Sequence, residues 1–180
     1  MEAAPKAEPL HGNSDRRLGR SNPFALDGPG FIEGLGGSSR VSCFVAGTTV
    51  LTEHGLIKVE ELATGDCVVS WDDQVCSRTA YEISAVHRGY STEFVHISVG
   101  AGTVTCTPEH PFWVDGREWV KARDLIVGDR LVDAEGVTIV ILAIEHEFTC
   151  TPVPVYNVTV GGKHTFYVGE SLLLVHNKLL

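Results

Sequence analysis

The chain of 180 residues lacks a long hydrophobic segment and an excess of basic charge. Its longest apolar run, residues 137–144, is far shorter than the roughly 20 residues of a membrane-spanning helix. The N-terminus has no apolar core of the kind that a signal peptide uses. With 14 basic against 23 acidic side chains the net charge is −9, so no basic surface is expected for phosphate backbones or anionic lipid. We expect neither nucleic acid nor membrane as partner, and the cellular location stays open, a secreted or delivered parent protein included.

A disulfide framework is also missing. The cysteines lie at positions 43, 67, 76, 106 and 150. Five is an odd number, so they cannot all pair within the chain, and their spacing fits no known framework. At least one thiol is therefore free, either for packing or for chemistry.

Proline and glycine are concentrated in the first 42 residues, which hold four of the eight prolines and seven of the nineteen glycines. The charges of this segment cancel, so the whole net charge of −9 falls on the remainder. The composition predicts a flexible leader at residues 1–42, one folded domain at 43–177 and a short C-terminal flank at 178–180.

Beyond position 42, short β-favouring runs alternate with glycine and aspartate. We predict strands at residues 48–52, 67–71, 83–86, 94–99, 103–105, 137–144, 155–160, 164–168 and 172–175. So many short strands, with little helical signal, predict an all-β fold.

Two segments resemble each other at a constant shift of 63 residues. Residues 57–68 (IKVEELATGDCV) and 120–131 (VKARDLIVGDRL) share a lysine, an acidic residue, a leucine and a Gly-Asp pair. Each copy predicts a strand end, one helical turn and a reversal, and two copies suggest halves related by approximate two-fold symmetry. Such turns also recur by chance in β proteins. A true duplication would bring Cys43 and residues 107–110, which precede the two copies, to one shared centre.

Cys43 stands where the leader meets the folded region. A thiol there can attack the carbonyl carbon of Ser42 through a five-membered ring and convert the peptide bond into a thioester. Because this step is uphill in water, the fold must strain or polarise the bond and protonate the departing nitrogen. His110 is a suitable proton donor, and the Thr107 hydroxyl could hold the carbonyl or the amide. The alternative is a small buried cysteine with a packing role.

Asn177 offers a second reaction. Its side-chain nitrogen can attack its own main-chain carbonyl and form a succinimide while the amine of Lys178 leaves. His176 beside it and His164 in a neighbouring predicted strand could supply the proton and polarise the carbonyl. A His-Asn pair alone is common, so this reading depends on its combination with Cys43.

In this order these residues resemble the Hint family, the self-processing domains of inteins and hedgehog-type proteins. Three segments carry the resemblance, CFVAGTTVLTEHGLIKVEEL, TVTCTPEHPFWV and VYNVTVGGKHTFYVGESLLLVHN. The last two are most similar to bacterial intein-like domains and to the pretoxin Hint domains of bacterial polymorphic toxins. The resemblance spans residues 43–177 and implies an all-β, pseudo-two-fold Hint fold with two very short helical turns.

The resemblance implies a role for each N-terminal site residue. Cys43 would be the nucleophile of an N-to-S acyl shift at the bond between Ser42 and Cys43. Thr107 and His110 match the Thr-x-x-His motif that activates this bond.

The same comparison covers the C-terminal junction. His164 matches an assisting histidine, His176 the penultimate histidine and Asn177 the cyclising asparagine at the bond to Lys178. The substrate would be the flanking segments of the same chain, in a monomer that needs no cofactor or metal and reacts once.

Two departures from the family pattern modify this expectation. Lys178 lacks the hydroxyl or thiol that accepts the acyl group in splicing, so we expect cleavage rather than ligation, releasing a downstream, toxin-like domain. Asn157 stands where many inteins have aspartate, and a carboxamide can hydrogen-bond but cannot shuttle a proton. We expect Asn157 and Cys106 to assist only as supporting groups.

Three alternatives stay open at this point. Cys106, His110, His146 and Cys150 have tolerable spacing for a zinc site. Cys43 and His110 could instead belong to a hydrolase that acts on other proteins. The domain could also be a β-rich interaction module without chemistry.

Overall fold

The computed structural model describes residues 42–72, 74–75 and 77–177. The predicted leader, apart from Ser42, and the predicted flank at 178–180 lie outside the described residues, as does Cys76. In the part of the chain that is described, the helices are two short 3-10 turns, neither of which has the length and apolar character to cross a bilayer.

The described chain folds into thirteen strands and two 3-10 turns. The strands are β1 (Phe44–Val45), β2 (Thr49–Thr52), β3 (Gly55–Lys58), β4 (Cys67–Asp72), β5 (Ser77–Val99), β6 (Gly102–Cys106), β7 (Pro111–Val114), β8 (Glu118–Lys121), β9 (Arg130–Val132), β10 (Thr138–Val140), β11 (Ala143–Val160), β12 (Thr165–Val168) and β13 (Leu173–His176). The 3-10 turns are Val59–Glu61 and Ala122–Asp124. The predicted all-β class with two very short helical turns is confirmed.

The strands form one continuous antiparallel network in the order β10-β9-β7-β13-β12-β2-β4-β5-β11-β1-β6. In addition, β3 pairs with β2, and β8 pairs with β7. β5 also pairs with β6, so β5, β11, β1 and β6 form a closed ring. The long strands β5 and β11 pair along most of their length and connect the two ends of the molecule.

All nine predicted strands overlap observed ones, but their boundaries differ. The runs at 83–86 and 94–99 belong to the single strand β5, and five strands (β1, β3, β7, β8 and β9) were not predicted. The predicted run 137–144 divides because the chain changes partners within it. The Ile141 N–H donates to the Asp129 carbonyl, while the Leu142 N–H donates to the Ser98 carbonyl of β5.

The predicted duplication appears in the backbone. The two copies make equivalent hydrogen bonds: Val59 N–H to Thr48 O and Ala122 N–H to His110 O, both 2.8 Å; Gly65 N–H to Ile83 O and Gly128 N–H to Ile141 O, both 3.0 Å. The Asp66 and Asp129 carboxylates each accept the N–H three residues earlier. The two halves are therefore related by approximate symmetry, in which Thr48 and His110 occupy equivalent places.

One large apolar core lies between the two halves, and a small second cluster lies behind β1. Phe44, Cys106 and Phe166 belong to the large core. Cys43 packs in the small cluster with Phe94 and Val155. Neighbouring residues of β1 thus point to opposite sides, as the two-residue period of a strand requires, and Cys43 is positioned away from the main core.

Candidate active site at the two junctions

Thr107 holds the backbone of Cys43 at both ends. The Cys43 N–H donates to the Thr107 hydroxyl oxygen at 2.9 Å, and the Thr107 N–H donates to the Cys43 carbonyl at 2.9 Å. These bonds follow from the antiparallel pairing of β1 with β6, which places Phe44 opposite Cys106. The hydroxyl therefore lies at the amide nitrogen of the bond between Ser42 and Cys43 and not at its carbonyl.

Asn157, on β11, contacts both junctions with one nitrogen. Its Nδ2 donates to the Ser42 carbonyl at 2.5 Å and to Oδ1 of Asn177 at 3.0 Å. Its Oδ1 accepts the Val158 N–H at 2.8 Å, which fixes the orientation of the carboxamide. The Asn157 side chain is buried, so these hydrogen bonds are shielded from water. Two residues that are far apart in sequence, Ser42 and Asn177, thus meet at one side chain.

Asn177 is held in a buried position at the end of β13. Its side-chain Nδ2 donates to the Val158 carbonyl, and its backbone N–H donates to the His164 carbonyl at 2.6 Å. His164 has a φ of 57°, in the left-handed region that non-glycine residues adopt at a cost of about 1–3 kcal/mol. Such strained backbone concentrates at functional sites, and here it directs a carbonyl at Asn177.

Two histidine rings lie beside the C-terminal junction. The ring centroids of His164 and His176 are 6.2 Å apart, and the Trp119 ring packs edge-on against His176 at 5.0 Å. His164 is exposed and His176 is half-buried. Both rings therefore lie beside the end of β13, where Asn177 follows.

His110 is enclosed by aromatic rings, and its pKa is far below the usual value of a histidine. Its ring lies 4.1 Å from that of Phe44, and neither ring nitrogen has a hydrogen-bond partner of standard geometry. The pKa of His110 is lowered from 6.5 to about 3. Burial is the main cause, the Ser42 carbonyl opposes the shift, and nearby His176 adds to it. At neutral pH the ring beside Ser42 is neutral.

The Cys43 thiol is protonated at neutral pH. Only 1% of the residue is exposed, and burial raises the pKa of Cys43 to about 12. Nucleophilic attack requires the thiolate, so a base must remove the proton as the sulfur attacks.

Most of the predicted site residues come together, whereas the candidate zinc ligands do not. Cys106 lies in the large core, where its thiol faces the Val95 carbonyl at 4.0 Å, and burial, together with nearby Cys43, raises its pKa. The four candidate zinc ligands are split, since Cys106 and His110 are buried while His146 and Cys150 are exposed. No three metal-binding side chains cluster within the described ranges, so the structure does not support the zinc alternative.

Glu109 is a site residue that the sequence analysis missed. Its carboxylate, 11% exposed, pairs with Lys121 at 2.7 Å and with Arg123. Its carbonyl accepts the Ser42 hydroxyl at 3.3 Å. It thus ties the loop that carries His110 to the second 3-10 turn and touches the residue before the scissile bond. Lys121 and Arg123 stand in the second copy of the duplication, which was the available signal.

Comparisons with known proteins show the family and the fold of this chain. The Pretoxin HINT domain family model matches residues 49–178. The solution structure of a bacterial intein-like domain from Clostridium thermocellum is 35% identical, with a TM-score of 0.72, over 75% of this chain and 98% of that chain. The crystal structure of TvoVMA intein is 24% identical (TM-score 0.65; 78% and 100% covered), and that of gp41-1 intein 22% (TM-score 0.62; 76% and 98%). These two inteins share the fold. A search of curated proteins gave no match.

Proposed function

Since the chain belongs to the pretoxin Hint domain family, we propose that it cleaves the peptide bonds at its own two ends, after Ser42 and after Asn177. A Hint domain with an intein-like fold is consistent with self-processing. The observation that carries the proposal is the Asn157 carboxamide, which bonds to the Ser42 carbonyl and to the Asn177 side chain at once. A protein without chemistry at these residues has no need to bury both junctions at one polar group.

The N-terminal step begins when the Cys43 thiol gives its proton to water. The sulfur attacks the carbonyl carbon of Ser42, and the Asn157 N–H group stabilises the negative charge that develops on the oxygen. The carbon–nitrogen bond then breaks, and the nitrogen of Cys43 takes up a proton that His110 passes on from water. The Thr107 hydroxyl, 2.9 Å from that nitrogen, is placed to relay this proton. Water or an added thiol cleaves the resulting thioester and frees residues 1–42.

The C-terminal step uses the side-chain nitrogen of Asn177. This nitrogen attacks the main-chain carbonyl carbon of the same residue, loses a proton and closes a succinimide. The bond to Lys178 breaks, and the departing amine takes a proton from His176 or His164. The Val158 carbonyl, which accepts the Asn177 side-chain N–H, holds the nucleophile away from water before the reaction.

The two cleavages release fragments without joining them. Ligation needs an acceptor hydroxyl or thiol directly after the cyclising asparagine, and Lys178 supplies neither. Release of a downstream, toxin-like domain that begins at Lys178 is the biological purpose that fits this chemistry. The chain is its own substrate and reacts once, as a monomer and without a cofactor.

The test is the intact mass of the purified chain over time, with and without added thiol. We expect thiol to accelerate the loss of residues 1–42 in the unmodified chain and Cys43→Ala to abolish that loss. Asn177→Ala should abolish only the loss of residues 178–180.

Cys150→Ala is the matched control, because Cys150 is an exposed thiol on the bulged part of β11. It should lose both segments at the rates of the unmodified chain. If all four proteins stay whole with and without thiol, the proposed function is wrong.

A further inference from the structure

A cavity of about 400 Å³ opens beside the C-terminal junction and has no role in the steps above. Its walls include all three tryptophans of the chain, Trp71, Trp113 and Trp119, together with Tyr167 and His176. Trp71 and Trp119 stay 38% and 37% exposed. Large aromatic rings left partly exposed around a concave space are typical of a binding site.

The cavity lies where the chain continues past the scissile bond. On β13 the side chains of Leu174 and His176 line the cavity, whereas Leu173, Val175 and Asn177 are buried on the opposite face. Side chains alternate along a strand, so a continuation of β13 past Asn177 would bring residue 178 to the cavity face. His176, the last residue of β13, already lines the cavity two positions before Lys178.

The downstream residues have the chemistry that such a cavity binds. Leu179 and Leu180 are apolar and suit the space between the aromatic rings. Lys178 carries a cation, and a cation over the face of a tryptophan is attracted to it. Trp119 packs against His176 at 5.0 Å, two residues before Lys178 in the sequence.

The charges that line the cavity agree with a basic first residue. Lys163 is neutralised by its ion pair with Asp72 at 2.7 Å. The Asp133 carboxylate also lines the cavity, where it accepts the N–H groups of Glu135 and Val137. Among the described residues that line the cavity, Asp133 is thus the one carboxylate, which suits a basic segment.

We propose that this aromatic cavity binds residues 178–180, the segment directly downstream of the scissile bond, with Leu179 and Leu180 filling the apolar space. The binding itself is independent of cleavage; its effect on cleavage rests on the proposed function. Docking fixes the departing amine relative to His176, so the identity of residues 178–180 controls the rate of the C-terminal step.

Intrinsic fluorescence tests the docking, because every tryptophan of the chain lines this cavity. The comparison uses the Asn177→Ala chain, which cannot cyclise, with and without Leu179→Ser and Leu180→Ser. We expect the serine variant to emit at longer wavelength and to be quenched more strongly by acrylamide. Each leucine that is replaced should lower the equilibrium constant for docking roughly tenfold, which corresponds to about 1.4 kcal/mol.

Two controls define the outcome. Leu179→Met with Leu180→Met preserves apolar volume and should keep the parent emission. Phe148→Ser removes an exposed ring outside the cavity (75% exposed) and should also leave the emission unchanged. Equal emission and equal quenching in the serine variant and its parent would overturn the proposal. Intact masses of the unmodified chain decide the proposed function separately.

Discussion

At the residue scale, Asn157 connects the two junctions. One Nδ2 atom donates to the Ser42 carbonyl at 2.5 Å and to the Asn177 Oδ1 at 3.0 Å. Removing a donor that stabilises a developing oxyanion typically slows a reaction about 100-fold or more. We therefore expect Asn157→Ala to slow loss of residues 1–42 about 100-fold. The C-terminal cleavage should slow less, since Asn177 keeps its bond to the Val158 carbonyl. Rate constants from intact mass measure both.

Thr103→Ala is a suitable control for this variant. The exposed Thr103 hydroxyl hydrogen-bonds to the Ser98 hydroxyl and contacts neither junction. It should leave both rate constants unchanged. If Asn157→Ala slowed the C-terminal step alone, the carboxamide would have no part in activating the Ser42 carbonyl.

His110 makes the stability of the fold depend on pH. Burial lowers the pKa of His110 from 6.5 to about 3. Between these values the unfolded chain binds a proton at this residue and the folded chain does not, so the free energy of unfolding falls as pH falls from 6.5 toward 3. Above 6.5 the residue is neutral in both states and has no effect. The loss is about 1.4 kcal/mol per pH unit.

Urea unfolding at pH 6.5 and pH 5 measures this effect. The unmodified chain should lose about 2 kcal/mol more than His110→Gln, which cannot titrate at this position. Equal losses in the unmodified chain and His110→Gln would mean that His110 is protonated in the folded state.

At the element scale, the second 3-10 turn supports the loop that carries His110. Glu109 pairs with Lys121 and Arg123, and the Ala122 N–H donates to the His110 carbonyl at 2.8 Å. A small displacement of a catalytic group reduces the rate strongly. We expect Glu109→Ala to slow the N-terminal cleavage about tenfold and to leave the C-terminal cleavage unchanged. Time courses of intact mass for both junctions provide the measurement.

Asp115→Ala is the matched variant, since it also removes an ion pair. Asp115 pairs with Arg130, and both side chains are about half exposed. Exposed pairs contribute about 0–1 kcal/mol, so both cleavages should proceed normally. Equal slowing of the two junctions in Glu109→Ala would indicate a general loss of stability instead of a displaced loop.

The elements that could be predicted from sequence are those whose geometry is local. The two turns were found because Gly65 and Gly128 adopt φ values of 96° and 95°, which only glycine reaches without strain. β1 is two residues long, and β3, β7, β8 and β9 each contain glycine, proline or a charged residue, which interrupts the β-favouring runs that identified the equally short β2, β10 and β12. The aromatic cavity was missed for another reason: Trp71, Trp113 and Trp119 come from three strands, and spacing along the chain does not reveal that they meet.

At the scale of the whole molecule, the candidate site depends on long-range pairing. The contact between Asn157 and Ser42 joins residues 115 positions apart. It exists because β11 pairs with both β5 and β1. The sequence indicated residues for each junction, and the approximate symmetry indicated that Cys43 and residues 107–110 would meet. Neither the sequence nor the symmetry indicated that Asn157 would touch both junctions. That contact depends on the register of β11 against β1 and β5, and local sequence patterns do not encode register between strands so far apart.

β13, which ends one residue before Asn177, lies inside the sheet and not at its edge. β13 is paired on both sides, with β12 and β7, and its residues Leu173 and Val175 are fully buried. Each such side chain contributes roughly 1.5–3 kcal/mol, against a typical total stability of about 5–15 kcal/mol. A chain ending at Asn177 should therefore keep a cooperative thermal transition close to that of the full chain. A chain ending at Ser171 should lose it, as followed by circular dichroism. If the shorter chain unfolded cooperatively at the same temperature, β13 would not anchor the junction, and the C-terminal step would lack the fixed geometry that it requires.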